Sequence, residues 1–401
     1  MACCLYFFLR RRLPWPYAMA GMLLPALTAA GRYSYEARPY ALVLAFAAVA
    51  LVSWQAAAEG RRRALSLVGL GGALAAALAC HPMAATLALP FLAGELARTA
   101  RSRRVDLAVW CAFACATPIL LALWQIETAD RAAKYWRFSG TLQGHFAGTY
   151  LEMLRPAIAP LGCVLLLALV LLLREGRAAG RSQGMPSHEA AALWGFVLIP
   201  AAAVPLSVLA GHYFLRYSIA CAIGLAGVSA VLLHWMGLRN RTAGRVAVAA
   251  VVAWFVIGQV YPGARRPDAG LKEVNTSEEI RPFLERMPSD APVVICRGTS
   301  FVELEHYASP ELASRLYYLT EPAVAAAIDG DVLFEVKEPV LAKVFPFRAH
   351  FEDYHAFIAT HKRFYVIDPI RNIAKQYFEG HLSLGYRKMN DEFGYWEARP
   401  R

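Results

Sequence analysis

Charge is scarce in this chain. Only 18% of its 401 residues are charged against 58% hydrophobic, with a mean hydropathy of +0.38. A soluble domain holds about a quarter charged residues, so a wholly soluble or disordered chain is excluded. Carboxylates are scarcest in the first two thirds: residues 1–262 hold 9 Asp/Glu against 23 Lys/Arg, whereas residues 263–401 hold 21 against 18. Two solvents are implied. The basic surplus belongs to the apolar part, which fits an anionic membrane surface and not nucleic acid. Metal-ligand spacing is missing too. Seven of the eight cysteines lie in apolar runs and Cys296 alone in the polar part, so they read as small buried hydrophobes. No internal repeat of the kind found in secondary transporters is visible. No Gly-rich phosphate loop follows a strand-like run near the C-terminus, which disfavours a nucleotide site there.

What is present is a series of long apolar runs. A spanning helix needs roughly 20 apolar residues, and that ruler marks segments near 13–30, 39–58, 107–124, 156–173, 190–210, 218–235 and 246–261. The stretch 64–97 is apolar but interrupted at Cys80-His81-Pro82. Its two arms would each reach about 24 Å across a core of about 30 Å, which predicts a short helical hairpin with its turn near headgroup depth. The expected fold is therefore a multi-pass α-helical membrane protein of about nine membrane segments over residues 1–262. Alternate loops carry 16 basic residues, at 10–12, 61–63, 98–104, 174–181 and 239–245, and the opposite loops carry seven. The positive-inside rule makes the first set cytoplasmic. The second set and everything after residue 261 are then exoplasmic, which suits an integral protein of the plasma (inner) membrane.

Beyond a linker at 262–270 the pattern changes to short alternating runs, mixed charge and Pro/Gly punctuation. Strand-like runs at 292–296, 315–319 and 364–367, helical patterns near 300–308, 351–361 and 372–382, and a hairpin over 386–397 predict a small exoplasmic α/β domain, residues 263–401.

On the exoplasmic side of the membrane part, the densest polar cluster is the string YSYEARPYAL, residues 33–42 including Glu36, Arg38 and Tyr40. Two readings stand. Tyrosines with Arg and Glu at a membrane boundary form an interfacial belt; alternatively Arg38 forks onto a lipid-linked phosphate, Glu36 orients it or a sugar hydroxyl, and Tyr40 packs near the headgroup. His81 at the hairpin turn either lies near the sugar phosphate or only caps backbone freed by Pro82, the second being favoured. His212, beside Tyr213 and ahead of Arg216-Tyr217, either touches the same headgroup or does not. Neither histidine has a partner at metal-ligand spacing, so no protein-only zinc site is expected. A divalent cation shared with a substrate phosphate stays open. Glu127 and Asp130 are weak candidates for a catalytic base, on a loop that is either an interfacial helix or a solvated connection.

The YSYEARPYAL string, flanked by apolar spans and basic loops, together with the later Arg216-Tyr217 of HYFLRYSIA, resembles the GT-C class of membrane glycosyltransferases. The likeness is to users of polyprenyl-phosphate sugars related to the dolichyl-phosphate-mannose protein mannosyltransferases and the bacterial aminoarabinose transferase. In that group an E-x-R-x-Y element begins one exoplasmic helix end and an R-Y pair another, and a trailing exoplasmic α/β domain occurs. The resemblance implies transfer of a sugar from a polyprenyl phosphate to an acceptor hydroxyl on a glycan, lipid or protein. An exoplasmic carboxylate takes the proton, and the matched Glu36, Arg38, Tyr40, Arg216 and Tyr217 belong to the lipid-phosphate and sugar site, with His81 and His212 as further candidates. One departure accompanies it. The group's acidic loop precedes the E-x-R-x-Y element, whereas this sequence opens on eight apolar residues, 2–9, too few to span. The expectation is that an upstream helix and acidic loop belong to a longer product. The alternative is a non-catalytic transporter or lipid-binding remnant.

Overall fold

A computed structural model describes residues 1–34, 39–119, 121–122, 142–175, 185–210, 215–260, 281–296, 298–322, 340, 342–367, 382–388 and 394–400. Two compact units emerge, one within residues 1–267 and one within 268–401.

The first unit is helical. Five of its helices are long and apolar enough to cross a bilayer: Tyr40–Ala58, Arg63–Cys80, a continuous run over Phe146–Leu173, Cys221–Arg239 and Arg241–Gly258. A sixth span results if Ser187–Val197 and Ile199–Pro205, bent by 41°, count as one. This is the architecture of a multi-pass helical membrane protein, with fewer spans among the described residues than the nine segments expected. The shortfall has physical causes. The segment at 13–30 yields only the nine-residue helix Trp15–Leu23 before Pro25 starts a 3-10 turn, Leu24–Leu27, and a second such turn follows at Ala29–Ser34. Helix Ala88–Ser102 is short and carries Glu95 and Arg98. The apolar helix Leu107–Ile119 is below spanning length.

The expected hairpin over 64–97 also takes another form. Its break falls at His81, where the 3-10 turn Pro82–Leu87 joins the two arms. The arms do not pack along each other. Helix 63–80 lies against helix 40–58, and helix 88–102 lies against helix 187–197. Small residues permit those contacts. A Cβ on Gly94 would stand 2.7 Å from the Trp54 ring, and one on Gly224 would stand 2.5 Å from the Leu193 carbonyl oxygen. Close backbone approach of this kind drives helix association where lipid removes the hydrophobic incentive. Leu165, Leu166, Leu169, Leu172 and Leu173 in the 146–173 run remain at least half exposed, a contiguous apolar surface that suits acyl chains. The Trp254 indole donates to the Pro156 carbonyl at 3.2 Å and ties that run to helix 241–258.

At the helix ends carrying residues 11–12, 59–63, 98–106 and 189, guanidinium and carboxylate groups interlock. Arg12 forks onto Glu189 (Nε to Oε2 2.9 Å, NH2 to Oε1 2.6 Å) and also donates to Glu59 at 2.6 Å. Arg98 forks onto Glu95 (2.9 and 2.6 Å) and reaches Asp106 at 2.7 Å, whose other oxygen takes Arg63 at 2.6 Å. The Trp54 indole donates to Glu95 at 3.1 Å. Glu95 and Glu189 are 0% and 1% exposed, yet each carboxylate is fully engaged, the condition under which buried charge is tolerated. The bond to Glu189 raises the Arg12 pKa above its ordinary value. Burial pushes Asp106 upward, but the hydrogen bonds from Arg63 and Arg98 outweigh it and leave its carboxyl below the usual range.

The second unit is built on a six-stranded mixed sheet: β1 (Val293–Ile295), β2 (Leu316–Thr320), β3 (His350–Asp353), β4 (Phe364–Ile367), β5 (Leu382–Lys388) and β6 (Gly394–Pro400), in spatial order β3-β2-β1-β4-β6-β5. The first four run parallel, and the β5–β6 hairpin adds antiparallel at β4. Both faces are covered, as parallel strands require. Val293, Ile295, Tyr365 and Ile367 pack with Phe301 and Leu304 of helix Gly298–Tyr307 on one face; Val294, Phe364 and Val366 pack with Phe357 of helix Tyr354–Thr360 on the other. Strand β3 and the short helix after it occupy the stretch expected to be helical throughout, because Asp353 accepts from the His355 and Ala356 amides and starts the helix there. The helical pattern at 372–382 lies outside the described residues up to 381. At the end of the sheet where β4 begins, Arg363 donates to Glu397 of β6 at 2.8 Å and to Asp290 at 2.6 Å.

Two outcomes are expected. Arg12→Ala strands the buried Glu189 and costs about 3–5 kcal/mol, whereas Glu189→Gln costs less because Arg12 keeps Glu59; unfolding in detergent measures both. Arg399 and Arg363 hold the Glu397 carboxyl below its ordinary value. Its stabilising share is therefore complete above the unfolded pKa of about 4.3 and is lost as pH falls through the lower folded value. Amide exchange in β4 and β6, corrected for intrinsic rate, reads this acid limb, and Glu397→Gln flattens it.

Candidate functional site

Helix Tyr40–Ala58 starts just after Pro39, which occupies the N-cap. That geometry sets Tyr40 at the mouth of the bundle, its side chain only 7% exposed. His81 ends helix 63–80 in extended backbone and hands the chain to Pro82. Arg216 and Tyr217 sit on the 3-10 turn Leu215–Ser218 that precedes helix 221–239. Three separate breaks in helical structure thus deliver their side chains to one cleft.

The cleft is a small open crevice, with Tyr40, His81, Met83, Thr86, Arg216 and Tyr217 among its lining. Ring centroids of Tyr40 and His81 are 5.1 Å apart, those of His81 and Tyr217 5.3 Å, and Tyr33 meets Tyr40 edge-on at 5.7 Å. The Arg216 guanidinium carbon lies 5.6 Å from the Tyr40 ring centre, within cation–π range.

Hydrogen bonding fixes the histidine tautomer. The Met83 amide donates to His81 Nδ1 at 3.1 Å, so Nδ1 carries a lone pair and the ring proton of the neutral imidazole is on Nε2. Nε2 is 3.4 Å from the Tyr40 hydroxyl oxygen and donates to it. A guanidinium, a phenol donor and an ordered imidazole in an otherwise apolar wall make a receptor for an oxyanion at low local dielectric.

Of the residues singled out in the sequence, Tyr40, His81, Arg216 and Tyr217 therefore share this cleft. Glu36, Arg38, Glu127, Asp130 and His212 lie outside the described residues. His81 accepts from the Met83 amide after the Pro82 break, as the capping alternative has it, and it also lines the cleft. Thr86 and Met83 belong to the lining and carried no sequence signal beyond their place in the 3-10 turn after Pro82. Thr86 donates to the Met83 carbonyl at 2.8 Å, which stiffens that turn. Among the described residues no group of three His, Cys, Asp or Glu side chains converges as a metal site would need. No protein-family model matches this sequence, and no curated protein matches it.

His81→Ala removes the cap and the Tyr40 contact together and is expected to lower stability by about 1–2 kcal/mol. Tyr40→Phe keeps the ring packing and should change it by less than about 1 kcal/mol. Thermal unfolding in a single detergent distinguishes the two.

Proposed function

We propose that this protein is a membrane glycosyltransferase of the GT-C type that takes a sugar from a polyprenyl phosphate and transfers it to an acceptor hydroxyl of a glycan, lipid or protein. The observation that carries the reading is the convergence of Arg216, Tyr217, Tyr40 and His81 on one cleft at the mouth of the helical bundle. A phosphate that leaves must be neutralised, and guanidinium geometry suits it bidentately. The Tyr40 hydroxyl adds a neutral donor, and the aromatic walls suit the apolar faces of a saccharide and the first isoprene units.

In this reading the acceptor oxygen attacks the anomeric carbon, the bond from that carbon to the phosphate oxygen breaks, and polyprenyl phosphate departs with the electron pair. A carboxylate removes the acceptor proton. The described lining contains no Asp or Glu, so the base is sought among Glu36, Glu127 and Asp130. The cleft and the domain after residue 262 face the exoplasm in this scheme, where the seven less basic loop charges lie.

The test is binding first and transfer second. With a photoreactive, radiolabelled polyprenyl-phosphate sugar in membranes, labelling should fall about tenfold or more in Arg216→Ala, the loss expected for one charged hydrogen-bonding partner. Tyr217→Phe should change little. Unaltered labelling in Arg216→Ala, or labelling equalled by the unphosphorylated polyprenol, refutes the donor site. Binding that depends on Arg216, with no transfer in membranes and no effect of Glu36→Gln, Glu127→Gln or Asp130→Asn, favours a lipid-phosphate receptor without chemistry.

A further inference from the structure

The interlocked ion pairs at the opposite helix ends divide the arginines there into two populations. Glu59 takes Arg11, Arg12 and Arg61; Glu189 takes Arg12; Glu95 takes Arg98; Asp106 takes Arg63 and Arg98. Every carboxylate of that cluster is spoken for. Arg62, Arg101, Arg103 and Arg104 stand outside it, exposed and without a carboxylate partner among the described residues. Asp106, gripping Arg63, brings the loops that bear these four side chains together.

Two of the four hold an unfavourable backbone. Arg62 (φ 39°, ψ 48°) precedes helix 63–80 and Arg103 (φ 53°, ψ 26°) closes helix 88–102, both in the left-handed region. They are the two non-glycine residues with positive φ among those described. Glycine is the usual occupant of a helix-closing position of this kind, and a strained residue that persists is a pointer to function. Immediately beside them, Leu65, Val68, Leu96, Val105 and Leu107 are each more than half exposed. These exposed guanidinium groups thus lie beside exposed apolar side chains, a combination that suits the charged boundary of a lipid layer.

We infer that the surface where the 60–63 and 101–106 loops meet binds the headgroup of an anionic phospholipid, with Arg62, Arg101, Arg103 and Arg104 supplying the charge that pairs with the phosphodiester. The inference stands independently of any sugar transfer. A bound lipid would supply the counter-charge that the protein's own carboxylates, all engaged, do not.

The test uses the full chain in neutral detergent, titrated with phosphatidylglycerol, phosphatidylcholine or inorganic phosphate and read by native mass spectrometry and thermal unfolding. Phosphatidylglycerol should stay bound and raise the unfolding midpoint, while the other two should not. Arg62→Gly combined with Arg103→Gly relieves the strained backbone, so it should raise the lipid-free midpoint and yet weaken phosphatidylglycerol binding about tenfold or more, at about 1 kcal/mol per arginine. Arg101→Gln combined with Arg104→Gln leaves the strained positions and the ion pairs intact and should weaken binding similarly, so the result does not rest on one variant. Equal binding of phosphatidylcholine, a matching shift with free phosphate, or undiminished phosphatidylglycerol affinity in both double variants overturns the proposal.

Discussion

The buried guanidinium–carboxylate clasp is the constraint on which the helical unit depends. Helices made largely of Ala, Leu and Gly have smooth flanks, and in lipid no hydrophobic gain selects one sliding register over another. Arg12 connects the N-terminal turn to Glu59 at the end of one helix and Glu189 at the start of another, and Arg98 connects Glu95 to Asp106. Each link is directional and fails under a shift of one residue. Such a cluster contributes specificity more surely than net stability, since the desolvation of Glu95 and Glu189 offsets much of the attraction. Trp54 ties the clasp to the packing: its indole donates to Glu95 while its ring rests against Gly94.

That register is transmitted to the cleft. Tyr40 lies fourteen residues before Trp54 on one helix, roughly 21 Å along its axis, so fixing Trp54 fixes the depth of Tyr40. Helix 187–197, held by Glu189, packs on helix 221–239 through the bare backbone at Gly224, and Arg216 lies on the turn that leads into that second helix. The two walls of the cleft are therefore positioned from the far end of the bundle. Local hydrogen bonds finish the arrangement, the Met83 amide orienting the His81 ring toward Tyr40.

The sequence made some of this legible and concealed the rest for identifiable reasons. Long apolar runs located the helices, and the Cys80-His81-Pro82 break was visible because proline lacks a donor and clashes with a preceding helical turn. Fewer spans than expected occur among the described residues because hydropathy does not register that Pro25 ends a helix early, or that the 88–102 helix buries an ion pair. The positive-inside count treated every loop arginine alike, yet Arg11, Arg12 and Arg63 are bound to carboxylates distant in sequence, up to 177 residues apart for Arg12 and Glu189, while Arg61 and Arg98 take nearer ones. Only the Glu95/Arg98 spacing on one helix could have hinted at it. Strand β3, reading His-Phe-Glu-Asp, is partly exposed at the sheet edge and lacks the apolar run that exposed β1 and β4. Tyr40, Arg216 and Tyr217 stood out as polar side chains at the ends of apolar helices; that His81 serves both as cap and as lining could come only from three-dimensional contact.

One side-chain type does three different jobs here, and the environment decides which. In the clasp, Arg12 and Arg98 use the planar edge of the guanidinium, whose parallel N–H bonds match a carboxylate. At residues 62 and 103 the same group is exposed on left-handed backbone beside exposed apolar side chains. At residue 216 the guanidinium carbon stands 5.6 Å from the Tyr40 ring centre, within cation–π range. A lysine could not reproduce the forked pairs of the clasp, because an ammonium lacks the planar fork. The abundance of arginine over lysine in residues 1–262, where Lys134 is the sole lysine, follows from that geometry as much as from charge.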